Sequence, residues 1–143
     1  METRIKQKEM NGKIHLYSIL RKKYLIKTPE ETVRQCFVNF LIEKKEYPKS
    51  LMKEECNVPI NGMQKRADLV VYKPNLTPIF LAEFKSPKVK LDHTTAFQIA
   101  RYNFVLQVPV LVVSNLSQTY VFERKNGHYQ ALQHIPAYNK LHL

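Results

Sequence analysis

Two short apolar runs with charge inside them limit what this chain can become. They are Arg66-Ala67-Asp68-Leu69-Val70-Val71-Tyr72 and Ile79-Phe80-Leu81-Ala82-Glu83-Phe84-Lys85. Both are rich in β-branched and aromatic residues, both have strand length, and the loop between them holds Pro74 and Pro78. The first alternates poorly and the second is apolar almost to its end, the pattern of strands covered on both faces. Such strands tolerate charge badly, yet Asp68 interrupts the first and Glu83 and Lys85 the second. Period-two geometry sets Glu83 and Lys85 on one face and turns Phe84 to the other. If the strands pair, Asp68 can meet them there. Two carboxylates and an ammonium at the end of an apolar sheet are costly unless they pair or bind a metal. The arrangement predicts a site.

The remainder of the chain fits a fold that could carry one. At 143 residues it is long enough for one real core, and a single domain over residues 1–143 is expected. The run Thr28-Pro29-Glu30-Glu31 offers an N-cap, proline at the first helical position and a capping-box glutamate. Val33, Phe37, Phe40 and Leu41 follow at helical spacing, predicting a helix over about 29–45 that Tyr47-Pro48 ends. An extended segment over 51–60 and an Asn61-Gly62 turn lead into the Asp68 strand. Asp92 or Thr94 can cap a second helix reaching about Asn103. Strands are expected at 109–113 and 119–122, with an Asn126-Gly127 hairpin into 129–132. Residues 1–20 read as an N-terminal arm or edge strand, 14–26 have no clear period, and 124–143 form a hairpin and tail. The fold class is therefore α/β (α+β), a central mixed sheet flanked by helices.

Charge and motifs narrow the chemistry. With 23 Lys and Arg against 12 Asp and Glu, the net charge of +11 favours a polyanionic partner, nucleic acid before an anionic membrane. Cys36 and Cys56 are too far apart for a C-x-x-C site, and the five histidines form no zinc-ligand pair. No phosphate-cradling glycine loop is present, and no apolar run suits a membrane span or a signal peptide, so a cytoplasmic location without membrane association is expected. Asp68 and Glu83 are hard oxygen donors suited to Mg²⁺ or Mn²⁺, which can polarise a phosphate and activate water. Lys85 beside them can orient that water and balance developing negative charge. Standing alone, the D…E-x-K pattern is short and common, and a Glu83–Lys85 surface pair with Asp68 bridged to Arg66 would also account for it. Gln98 and Tyr102 lie four apart, hence on one face of the second helix. Glu31 has its capping duty, while either Glu30 or Glu31 could turn towards a metal.

In order along the chain, Thr28-Pro29-Glu30-Glu31-x-Val33-Arg34-Gln35, Tyr47-Pro48, Lys65-Arg66-Ala67-Asp68-Leu69-Val70-Val71, Glu83-Phe84-Lys85-Ser86-Pro87 and Gln98-x-x-x-Tyr102-Asn103 resemble the N-terminal nuclease domain of type I restriction enzyme restriction subunits. These belong to the PD-(D/E)xK nuclease superfamily, and the resemblance spans roughly residues 20–120. The Gln-x-x-x-Tyr element is similar to that of RecB-type nucleases. The resemblance implies a restriction-endonuclease-like core and a Mg²⁺-dependent DNA endonuclease. It implies Asp68, Glu83 and the Phe84 carbonyl as metal ligands, with Glu30 or Glu31 joining them, and Lys85 as the residue that positions water. Gln98 and Tyr102, with Arg66, Lys88 and Lys90, would contact DNA or support the site. Where the superfamily has proline before its first aspartate, this chain has Ala67. Double-stranded DNA is the implied partner, with a motor/helicase and specificity or methylation subunits of a restriction system beside it. The helicase-like motor that follows the nuclease in such subunits is not within these 143 residues. The rival expectation is a DNA-binding or assembly module that keeps the fold without cutting.

Overall fold

In the computed structural model, which describes residues 4–60, 62–104 and 107–141, the N-terminal stretch is neither a loose arm nor an edge strand of the main sheet. It is an antiparallel sheet of its own: β1 (Gln7–Met10), β2 (Lys13–Ser18) and β3 (Lys23–Ile26), in that order. Asn11 (φ 53°) and Gly12 (φ 75°) make the first turn, the left-handed pair that a two-residue hairpin demands. The inner face of this sheet is carried by Leu16 and Ser18, both buried, and β2 packs on the first helix.

That helix, α1 (Pro29–Lys45), keeps the predicted bounds. Thr28 Oγ1 accepts the Glu31 N–H at 3.0 Å, so the N-cap forms as expected. The reciprocal half of the capping box is not what Glu31 does: its carboxylate turns to Arg21, Arg34 and Gln35. Glu46, at φ 60°, closes the helix, and the Tyr47 N–H reaches back to Leu41 O. Val33, Phe37 and Leu41 are fully buried and Phe40 partly so; Val38, outside the predicted stripe, is buried too.

The main sheet has six strands in chain order: β4 (Met52–Ile60), β5 (Met63–Tyr72), β6 (Pro78–Phe84), β7 (Val110–Ser114), β8 (Thr119–Lys125) and β9 (His128–Leu132). All neighbours are antiparallel except β6 and β7, and a parallel pair needs a crossover. Helix α2 (His93–Asn103) supplies it, capped by Asp92, whose Oδ1 accepts the Thr95 N–H at 2.7 Å. The Asn61-Gly62 turn falls partly outside the described residues.

The central strands are covered on both faces, which is why they read as continuous apolar runs. Leu69, Val71, Phe80, Ala82, Phe84, Val110 and Val112 join α1 in one core. Val70, Leu81, Leu111 and Val113 join Ala96 and Ala100 of α2 in the other. A buried residue of this size contributes about 1.5–3 kcal/mol by leaving water, so these two layers fix the register that positions every residue at the strand ends. The result is a restriction-endonuclease-like α/β core. Among the described residues no helix is long and apolar enough to cross a membrane.

Candidate functional site

Asp68 lies where both ladders of its strand lapse. On one side, the β5–β6 register runs from Tyr72↔Pro78 to Leu69↔Ala82. One further step would set Asp68 opposite Glu83; instead, the Phe84 N–H donates to Asp68 Oδ2 at 2.7 Å. On the other side, the β4–β5 register pairs Glu54↔Leu69 and Cys56↔Ala67 but passes over Glu55, whose φ of 48° is left-handed. A non-glycine residue held there costs roughly 1–2 kcal/mol, and such strain persists only where surrounding contacts over-determine it. Here those contacts are ion pairs from Glu55 to Arg34 (3.2 Å), Arg66 (3.1 Å) and Arg21 (3.7 Å).

Glu83 stays in the sheet, paired with Val113 of β7, and the backbone N–H of Lys85 donates to Ser114 O at 2.9 Å. Lys85 Nζ lies 3.7 Å from Glu83 Oε1. The structure thus brings Asp68, Glu83 and Lys85 together where the β5–β6 ladder ends, partway along β5 and at the C-terminal end of β6. The simpler alternative for Asp68, a bridge to Arg66, is not formed, because Arg66 pairs with Glu55.

Burial is the largest influence on both carboxyls, and nearby cations offset it in part. Burial pushes Asp68 above the usual carboxylate range, while the Phe84 N–H, Arg34 and Lys85 pull it back. Burial, and then the Asp68 charge, push Glu83 up to about 7, against the pull of Lys85. Glu30 adds to the negative field on both. A pair of partly enclosed carboxylates, the charge of one raising the pKa of the other, is a donor set that a divalent cation fits. Among the described residues no group of three or more His, Cys, Asp or Glu side chains is placed to hold a metal ion.

The two adjacent glutamates of α1 separate in purpose. Glu30 is exposed and acts on Asp68 and Glu83 through its field. Glu31 is buried in an ion-pair network, 3.2 Å from Arg34 and 3.3 Å from Arg21, with Gln35 Nε2 donating to it at 2.8 Å. Glu54, its side chain fully buried, accepts from Arg21, Ser18 and Gln35 in the same network. Arg21, Arg34, Gln35, Glu54 and Glu55 escaped sequence reasoning. Only Arg34 and Gln35 left a trace, standing three and four positions after Glu31 on the inner side of α1.

The remaining sequence-predicted residues lie elsewhere. Lys88 and Lys90 are exposed in the loop before α2. Gln98 and Tyr102 are exposed on α2, and neither makes a hydrogen bond or ion pair to Asp68, Glu83 or Lys85 among the described residues. Gln98 instead borders an apolar cavity of about 660 Å³ with Phe97, Arg101, Phe122 and Tyr129.

Comparison with known proteins bears on this geometry. No curated protein matches the chain. Residues 29–136 match the family model described as the type I restriction enzyme R protein N terminus (HSDR_N), a span that holds α1, the whole six-stranded sheet and the Asp68–Glu83–Lys85 set. Since that match covers well over half of the 143 residues, the chain belongs to the type I restriction enzyme R protein N-terminal family.

Proposed function

We propose that this domain, whose family gives it a restriction-enzyme-related role, hydrolyses phosphodiester bonds of double-stranded DNA with Mg²⁺ or Mn²⁺, as a PD-(D/E)xK nuclease. The observation that carries the reading is the convergence of Asp68 and Glu83 at the point where the β5–β6 ladder ends, with the Lys85 ammonium 3.7 Å from Glu83. Asp68, Glu83 and the Phe84 carbonyl would hold the ion. The Phe84 N–H fixes Asp68 Oδ2, which leaves Oδ1 as the freer donor. When bound, the cation supplies a water of lowered pKa and charge against the phosphate oxygens. Lys85 orients the attacking water and offsets negative charge as it grows on the phosphate. Glu30, rather than Glu31, is the α1 carboxylate suited to join the site, because Glu31 is held by Arg21, Arg34 and Gln35.

Arg66, Lys88 and Lys90 would meet the DNA backbone, with Gln98 and Tyr102 contacting DNA from α2. Within a restriction system the domain would act with a motor/helicase and with specificity or methylation subunits. The test is cleavage of plasmid DNA by purified chain across a Mg²⁺ and Mn²⁺ series, with Glu83→Gln as control. Metal-dependent nicking that the variant lacks supports the reading. DNA binding with no product in either metal overturns it in favour of a module that binds without cutting.

A further inference from the structure

The three-stranded sheet lies outside the matched span, yet it holds much of the molecule's charge. Between Arg4 and Thr28 the chain carries eight lysines and arginines against one carboxylate, Glu9. Strand pairing sorts these residues by face. Gln7↔Leu16 and Glu9↔Ile14 set Glu9 on the side of buried Leu16. Lys8↔His15, Met10↔Lys13 and Tyr17↔Tyr24 make the opposite side, where the Tyr17 N–H donates to Lys6 O and so aligns Lys6 with Tyr17. The outward face therefore presents Lys6, Lys8, Lys13 and His15 around two tyrosines, and among the described residues it contains no acidic side chain.

We propose that this outward face is a second contact surface for duplex DNA, gripping the sugar-phosphate backbone without reading bases. The inference rests on the reading of DNA as the partner. Three features favour phosphate contact over base stacking. Lys6 Nζ lies 5.5 Å from the centre of the Tyr17 ring and Lys8 Nζ 5.7 Å from that of Tyr24, so ammonium groups cover the rings that bases would need. The rings also pack edge to face against each other at 5.2 Å. Two residues of strand advance about 6.7 Å, close to two axial phosphate steps of one DNA strand, about 6.8 Å.

The face is also fixed with respect to the candidate site. Arg21, in the turn between β2 and β3, binds Glu54 at 3.0 Å and Glu31 at 3.3 Å, and Ser18 Oγ donates to Glu54 at 2.9 Å. Glu54 lies in β4 beside Glu55, the residue that the register sets across from Asp68. A duplex held on the sheet is thus held at a set distance from the carboxylates. Among the described residues Lys6, Lys8 and Lys13 have no acidic neighbour on their face, and neutralising them with phosphates releases counterions and relieves their mutual repulsion.

The test is the triple variant Lys6→Gln, Lys8→Gln, Lys13→Gln, compared with the unaltered chain by fluorescence anisotropy on a labelled duplex, in chelator so that no cleavage intervenes. The slope of log affinity on log salt should become shallower by about 2–3, since each phosphate contact contributes about 0.9. Thermal unfolding should be unchanged, and the matching Lys→Arg triple variant should keep the original slope. An unchanged slope in a folded Gln variant overturns the proposal. So does loss of binding to anionic phospholipid vesicles with DNA binding intact, which would assign the face to a membrane surface. Metal-dependent cleavage that persists while the slope does not move would sink this inference alone. A shallower slope in a protein that never cleaves would sink only the nuclease reading. Failure of the unaltered chain to bind any duplex would remove both.

Discussion

Glu31 Oε2 lies 3.2 Å from Arg34 Nε, one turn further along α1, and this pairing separates the roles of two glutamates that adjoin in sequence. With 10% and 11% of their side chains exposed, neither partner of the pair can be stranded cheaply. Arg34→Ala should lower unfolding free energy by about 3 kcal/mol, because Glu31 and Glu55 both lose a cation. Glu30→Gln should leave urea unfolding nearly unchanged and raise the Mg²⁺ concentration needed for cleavage about tenfold. A Glu30 variant as unstable as the Arg34 one would contradict this division.

Lys85→Ala should fold normally and lose about 10²–10³-fold in single-turnover cleavage, the effect of removing one preorganised charge from a developing oxyanion. Its metal affinity, read by Mn²⁺ titration, should not weaken, because deleting the ammonium removes a competitor for Glu83. Cleavage at the original rate would remove Lys85 from the chemistry.

Glu83 gives stability a pH dependence of unusual sign. Its folded pKa, pushed up to about 7 by burial and by Asp68, lies above that of an unfolded glutamate. The folded state therefore holds the proton more tightly. The stability linked to Glu83 is present below the unfolded pKa and is lost as pH rises through about 7. In chelator, melting temperature should fall over that window, and Glu83→Gln should flatten the fall. Added Mn²⁺ should raise melting temperature most at the alkaline end.

Thr28→Ala should cost about 1 kcal/mol in denaturant unfolding, because the Glu31 N–H loses its acceptor at the head of α1. Thr28→Ser should restore most of it.

The elements most readable in the sequence were those whose signals are local. Thr28-Pro29 announced α1 because cap and proline act within one turn, and Leu69-Val70-Val71 and Phe80-Leu81-Ala82 announced two-sided strands because both faces are covered. Asp68, Glu83 and Lys85 stand out as charge in apolar runs, and they lie together where the β5–β6 ladder ends, Asp68 partway along β5 rather than at its end. The N-terminal sheet was obscured by strands of only four to six residues with lysines in each. Even so, Asn11-Gly12 is the same turn dipeptide that marked the hairpin at Asn126-Gly127. Beyond the spacing of Arg34 and Gln35 from Glu31, the network around Glu54 leaves no local signal. Two adjacent acids in a strand look exposed until Arg21 and Arg34, 33 and 21 positions away from their partners, fold onto them.

The enclosure of Glu54 has a practical meaning for anyone who trims this protein. A shortened gene beginning at Pro29, where the family match starts, would delete Ser18 and Arg21, two of the partners of Glu54, and strip away Ile19 and Leu20, which pack against the core. Residues 4–28 are a wall of the building rather than its porch, and a product cut at that line should be recovered as aggregate.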